Sequence, residues 1–322
     1  MKQFSTNSKL IKKILASNIL ILAIAFLLVI SIFSVLSDRF LTLTNIQNVL
    51  RQVPAVAILS LGMTLVILTG NIDLSAGAGI ALSGVLIASL MQHHGFSIIT
   101  SSILIMLFLG SLYGVSSFLI SFLQIPAFIV TLGLTTIFRG YAFIYSNRPI
   151  YVENPSLRNL GRGTSIGIPN AAILMIISFI LFYFILEHTQ FGRHIYAVGD
   201  NKEVARRFNI NVKKVIFLVY FIHGITVVLS SLIIAGRLSS GSPNAGEMME
   251  LDAIAAVVIG GTSFFGGEGN IIGTLIGAFL MAFINNGLNL AKVTSYNQMV
   301  VRGLVILAAV VINSLQRKLI AK

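Results

Sequence analysis

Gly70-Asn71-Ile72-Asp73-Leu74-Ser75-Ala76-Gly77 interrupts an apolar stretch between the runs 53–69 and 72–91, with no proper polar loop around it. Unpaired backbone groups are costly in hydrocarbon, so irregular backbone survives at membrane depth only where it lines a cavity or is buried in protein. A second interruption, Gly260-Gly261-Thr262-Ser263-Phe264-Phe265-Gly266-Gly267-Glu268-Gly269-Asn270, has the same setting. Each follows a Val/Ile-rich run and precedes a segment rich in small residues, 77–89 and 271–283. That echo is a weak internal repeat, the pattern expected when two halves of a transporter place broken helices around one pathway.

The rest of the chain supplies the solvent for these breaks. Of its 322 residues, 56% are hydrophobic and 10% charged, and the mean hydropathy is +0.94. Soluble domains run at about 25% charged residues, and a membrane helix takes about 20 apolar ones, so roughly ten spans fit and little else. Ten apolar runs occur, at 14–36, 53–69, 72–91, 97–122, 127–145, 171–186, 215–235, 253–265, 271–288 and 299–315. The fold class expected is an all-α polytopic membrane protein of about ten helices with two broken or re-entrant segments. It forms a single transmembrane domain over 1–322, without a separate ATPase or ligand-binding domain. The first run follows Lys9, Lys12 and Lys13 like a signal peptide, but at 23 residues it exceeds the h-region of 7 to 15 and reads as a retained helix.

The net charge of +12 sits between spans rather than on one soluble face, which excludes a nucleic-acid partner and reads as a positive-inside bias with attraction to lipid headgroups. Four lysines precede the first run, six basic residues occupy the loop 187–214, and Arg317, Lys318 and Lys322 end the chain. Ten alternating spans with both termini cytoplasmic put all three clusters inside. Glu153, Glu247, Glu250 and Asp252 then fall on the outer face. With no cysteine, disulfides and thiolate chemistry are closed.

Asp73 is the most pointed residue, because an acid at membrane depth faces the bundle interior or water. Either Asp73 or Ser75 N-caps the next helix, or they line a pathway with Asn71; the two roles are compatible. Thr262, Ser263 and Glu268 hold the same position at the second break, with a plain turn as the other reading of Glu268. Asn285, Asn286 and Asn289 form a stripe at helical spacing that either joins helices or wets the pathway. Arg139 reads as snorkelling outward. Gly110/Gly114 and Gly273/Gly277, each four apart, permit close helix approach.

No Walker A loop is present. His93 and His94 read as a solvated turn and His223 as a histidine hydrogen-bonded to a neighbouring helix, so neither a catalytic nor a metal site is expected. In the loop 187–214, Gly199-Asp200-Asn201 reads as a turn with an N-cap and residues 202–208 as a short helix ended by Asn209. Val204, Ala205 and Phe208 give it a small apolar face, which suits either a solvated loop or a helix docking in a partner's groove.

The chain resembles the permease subunits of ABC importers for monosaccharides, the ribose-type family. The resemblance rests on residues 62–69 leading into Ile72-Asp73-Leu74-Ser75; on Gly192-Arg193 through Gly199 with Asn201; on residues 250–258 running into Gly260-Gly261-Thr262-Ser263 and Gly266-Gly267; and on Asn286-Gly287-Leu288-Asn289-Leu290 with Ser295, Tyr296 and Gln298. It implies an ABC importer permease fold in the bacterial inner membrane, a second permease chain, a cytoplasmic ABC ATPase that uses the ATP, and an extracytoplasmic sugar-binding protein. No cofactor on this chain is implied. It implies that the loop 187–214 faces the ATPase, with coupling roles for Gly199, Asp200, Asn201, Glu203, Val204, Arg206 and Phe208. Ribose is the substrate implied first; autoinducer-2, xylose or a galactoside are the alternatives, and a self-sufficient secondary transporter is the more distant one. Asn71 and Asn209 stand where the family often has glycine, and both tolerate positive φ.

Overall fold

The computed structural model describes residues 18–320. The start of the first run at Ile14, the four N-terminal lysines and Lys322 lie outside them. Every apolar run holds a helix: α1 (Asn18–Leu36), α2 (Leu43–Leu68), α3 (Ala76–Gln92), α4 (Ile98–Ser121), α5 (Ala127–Tyr145), α7 (Asn170–His188), α10 (Val212–Leu238), α11 (Met249–Ile259), α12 (Ile271–Leu290) and α13 (Ser295–Ile320). Between them lie α6 (Pro155–Arg162), α8 (Gln190–Asp200) and α9 (Lys202–Arg207), and four two-residue strands, β1 (Ile150–Tyr151), β2 (Thr164–Ser165), β3 (Ile168–Pro169) and β4 (Ser240–Gly241), paired antiparallel as β1–β4 and β2–β3.

The expected count of ten crossings is not reached among the described residues: seven helices, α2, α4, α5, α7, α10, α12 and α13, are long and apolar enough to cross a membrane. For α3 and α11, two of the three apolar-run helices outside that count, the reason is geometric. At about 1.5 Å rise per residue, the 17 residues of α3 cover about 25 Å and the 11 residues of α11 about 17 Å, against a hydrocarbon core of about 30 Å. Neither helix is long enough to cross that core alone.

Local chemistry sets the starts. Thr42, Ser97, Asn154, Thr189, Asn201, Asn211 and Asn270 each accept a backbone N–H of the following helix with a side-chain oxygen. The core is built on α2 and α10, whose apolar windows are 78% and 67% buried, whereas that of α13 is 6% buried and presents an outward apolar face. Glycines bring the helices together. A β-carbon at Gly224 would fall 2.8 Å from Gly110 Cα, joining α10 to α4, and β-carbons at Gly273 and Gly277 would overlap the carbonyls of Gly260 and Ala256, joining α12 to α11. Phe40 packs between Phe33, tilted at 5.5 Å, and Phe283, edge-on at 5.9 Å, and ties α1 to α12.

Candidate functional site

The first break is a strap of residues 69–75. Gly70 turns the chain with φ +71°, while Asn71 stays at negative φ and folds its amide onto Thr69 Oγ1 at 2.9 Å. The irregular backbone is buried in protein and finds partners there: Thr135 Oγ1 donates to the Leu74 carbonyl at 2.8 Å and Thr131 Oγ1 to that of Ile72 at 3.4 Å. Asp73 and Ser75 are completely buried. Asp73 Oδ1 accepts from Ser75 N at 2.9 Å and Ser75 Oγ at 2.6 Å, and Ser75 Oγ is hydrogen-bonded to the Tyr113 hydroxyl at 3.0 Å. The other carboxylate oxygen, Oδ2, lies 2.9 Å from His223 Nε2.

Of the two candidates for the N-cap, the position belongs to Ser75, whose side chain makes no cap bond, and Asp73 is buried beside it. His223 was expected to bond a neighbouring helix; its partner is instead Asp73, in the non-helical strap between α2 and α3. His223 is the twelfth of 27 residues of α10, so this contact lies near the middle of the span. A side chain at Gly62 would collide with Thr226 Oγ1 and His223 Nδ1, so the glycine on α2 makes the room for the ring. Tyr113 closes the other side, edge-on to the imidazole at 5.6 Å. A buried acid is tolerated when paired and hydrogen-bonded, and removing one partner of such a pair costs about 3–5 kcal/mol.

The start of α3 meets the start of α11. Gly77 packs against the Gly246 carbonyl and the Glu250 carboxylate, whose Oε2 is buried without a hydrogen-bond partner. Glu250 and Asp252 occupy the first turn of α11. Arg139 does not snorkel: its guanidinium donates to the carbonyls of Pro243 at 2.6 Å and Ala245 at 3.0 Å, and so holds the chain that leads into α11.

The second break, with positive φ at Gly261, Gly266 and Gly267, connects α11 to α12 and lies against the first. Gly267 N donates to the Leu68 carbonyl at 3.0 Å. The C-terminal end of α8 enters the same junction. A β-carbon at Gly199 would overlap the Leu68 carbonyl oxygen, and one at Gly266 would fall 2.7 Å from Gly70 N and 3.0 Å from the Gly199 carbonyl oxygen. One at Gly267 would fall 2.9 Å from Asp200 N. Tyr196 of α8 donates to the Gly269 carbonyl at 3.1 Å, and burial pushes its hydroxyl pKa up to about 12. Thr262 and Ser263 are buried, Ser263 N donating to the Glu268 carbonyl at 2.8 Å, while the Glu268 side chain is exposed as a plain turn residue.

The asparagine stripe joins helices. Asn286 and Asn45 exchange amide hydrogen bonds at 2.8 and 2.9 Å, linking α12 to α2 in the buried interior. Asn285 donates to Asp252 Oδ2 at 3.3 Å and accepts from Arg302 Nε at 3.2 Å; Asn289 Oδ1 accepts from Gln298 at 3.0 Å. In the loop 187–214, Gly199 and Asp200 belong to α8 rather than to a turn, and Asn201 caps α9 by accepting from Glu203 N at 2.9 Å and Val204 N at 3.1 Å. Asn209 takes φ +60° as expected. Glu203 pairs with Arg206 at 2.5 Å on the surface, Ala205 is buried, and Val204 and Phe208 are 45% and 78% exposed.

Two helices that begin inside the bundle, and two broken connections that meet an amphipathic surface loop, define a polytopic membrane permease. Comparison with known proteins places it: the family described as the permease component of the branched-chain amino acid transport system matches residues 45–310, both breaks and the loop included, and the chain belongs to that family. This is a family of transport subunits, not enzymes. The chain is 43% identical to the ribose import permease protein of Escherichia coli, covering 90% of this chain and 92% of that one. Its identity to the ribose import permease protein of Bacillus subtilis is 43%, covering 89% and 90%. Identity to the D-allose transport system permease protein of Escherichia coli is 36%, covering 90% of each. No solved structure matches it.

Proposed function

We propose that this chain is the permease subunit of an ABC importer that carries a monosaccharide, ribose first, across the bacterial inner membrane. It would work as one domain of ten passes, α1, α3 and α11 completing the seven full-length spans, with both termini cytoplasmic and lipid against its outer apolar faces. Two such chains would form the pathway, a cytoplasmic ABC ATPase would dock on the loop 187–214, and an extracytoplasmic binding protein would deliver the sugar. ATP is used by the partner. Ribose is favoured over D-allose by the higher identity, 43% against 36%.

One observation carries the coupling role: the backbone at Gly199 is packed on Leu68 and Gly267, so the docking loop and both breaks share one junction. The exposed Val204 and Phe208 give the ATPase apolar anchors, with Glu203 and Arg206 beside them. A pathway role for Asn71, Asp73, Ser75, Thr262, Ser263 and the three asparagines rests on their holding the helices that would move. In proteoliposomes holding this chain and its ATPase, sugar-loaded binding protein should stimulate ATP hydrolysis and drive ribose uptake. Uptake by this chain alone, driven by an ion gradient, would overturn the reading.

A further inference from the structure

We infer that His223 is a positioning residue of transport, gripping Asp73 so that movement at the docking loop is delivered to α3 instead of being lost in the strap that joins them. The inference rests on the importer reading above. It starts from the two ends of residues 69–75. The near end is packed against the docking segment: Gly199 lies on the Leu68 carbonyl and, with Gly70, around Gly266, while Gly267 N of the second break donates to that same carbonyl. The far end is held by side chains: Asp73 Oδ2 on His223 Nε2, Asp73 Oδ1 on Ser75, and Ser75 Oγ on the Tyr113 hydroxyl, all fully buried, with Thr135 Oγ1 on the Leu74 carbonyl and Thr131 Oγ1 on that of Ile72 beside them.

Only five peptide steps separate Leu68 from Asp73, a reach of at most about 17 Å when extended. With both ends held and residues 69–71 hydrogen-bonded back onto the last turn of α2, a displacement of α8 passes along the strap to α3 and to its partners α10 and α4. With the far end released, the same displacement is absorbed as bending of the strap around Asn71 and Ile72. The docking surface on α9 lies at the other end of this train and is untouched by a change at His223. Hydrolysis and transport should therefore separate.

The test is the ratio of ribose imported to ATP hydrolysed in proteoliposomes with the ATPase and loaded binding protein. In His223→Ala, hydrolysis should still respond to the binding protein while the ratio falls about fivefold or more, the scale of an ordinary coupling free energy. His223→Gln, which returns an N–H to Asp73, should recover much of the ratio. Tyr113→Phe, which keeps the ring and loses only the hydroxyl, should lower it in the same direction, and serves if His223→Ala fails to accumulate. A merely structural role would lower uptake and hydrolysis together. An unchanged ratio in His223→Ala or in Tyr113→Phe overturns the inference. Absence of stimulated hydrolysis in the wild-type assembly would instead overturn the importer reading.

Discussion

Gly199 lies against the carbonyl of Leu68 so closely that a β-carbon on the glycine would overlap its oxygen. The contact joins the last turn of α8 to the last turn of α2, and nothing but backbone lies between them. Gly199→Ala must push the two apart, at a cost of about 1–3 kcal/mol for overpacking. The expected outcome is a protein that inserts and binds its ATPase but shows little stimulation of hydrolysis by the loaded binding protein. Normal stimulation in that variant would mean the junction does not transmit.

The docking surface makes a separate prediction, because Val204 and Phe208 project from α9 into solvent. Replacing both with Asp should leave stability within about 0.5 kcal/mol, as for exposed sites generally. ATPase affinity should fall by about 2 kcal/mol or more if the aromatic ring is the anchor. Co-purification with the ATPase and thermal unfolding of the free permease measure the two effects independently.

Much of this arrangement was legible in the sequence, and the exceptions share a cause. Every apolar run held a helix, though α6 and α8 lie outside the runs and were not foreseen, and Gly70-Asn71 and Gly260-Gly261 marked the breaks, because backbone irregularity needs glycine and polar side chains wherever it occurs. Asn209 gave its left-handed turn through residue type alone. What one-dimensional reading missed were distances across the bundle. His223 was read as bonded to some neighbouring helix, yet nothing within its own run names Asp73, which lies 150 positions away. Tyr113 and Gly62 complete that site from two further helices. Arg139 misled because an arginine near a span end usually reaches for water; here two carbonyls ahead of α11 were nearer. The starts of α3 and α11 inside the bundle were also hidden, since a run's length counts apolar residues and not where its helix begins.

The reciprocal pair Asn45–Asn286 gives a stability prediction. Asn45→Ala leaves the Asn286 amide buried without its partner, a loss of about 1–3 kcal/mol, whereas in Asn286→Ala the Asn45 amide keeps its bond to the Phe40 carbonyl at 2.8 Å and the loss should be smaller. Changing both to Leu removes the orphaned group, so the double variant should be more stable than the sum of the single losses. Interhelical hydrogen bonds inside membranes average about 0.6 kcal/mol with a maximum near 1.7, which bounds the coupling expected in a double-mutant cycle of thermal unfolding in detergent. Strict additivity would mean that the two amides act independently.

Tyr196 offers the remaining test, and its sign follows from burial. The hydroxyl donates to the Gly269 carbonyl at 3.1 Å, which anchors α8 to the second break. Burial raises its pKa from 10.0 to about 12, so the protonated donor is favoured by the fold. Its contribution is complete below pH 10 and is lost as pH rises through the folded value near 12. Tyr196→Phe should therefore cost about 0.5–1.5 kcal/mol, the net worth of one hydrogen bond. That difference from wild type should be flat across roughly pH 6 to 9, where the tyrosine does not titrate. Thermal unfolding of the two proteins over that range measures it, and a difference that grows or vanishes within the range would show that the Tyr196 hydroxyl is not the group holding the second break.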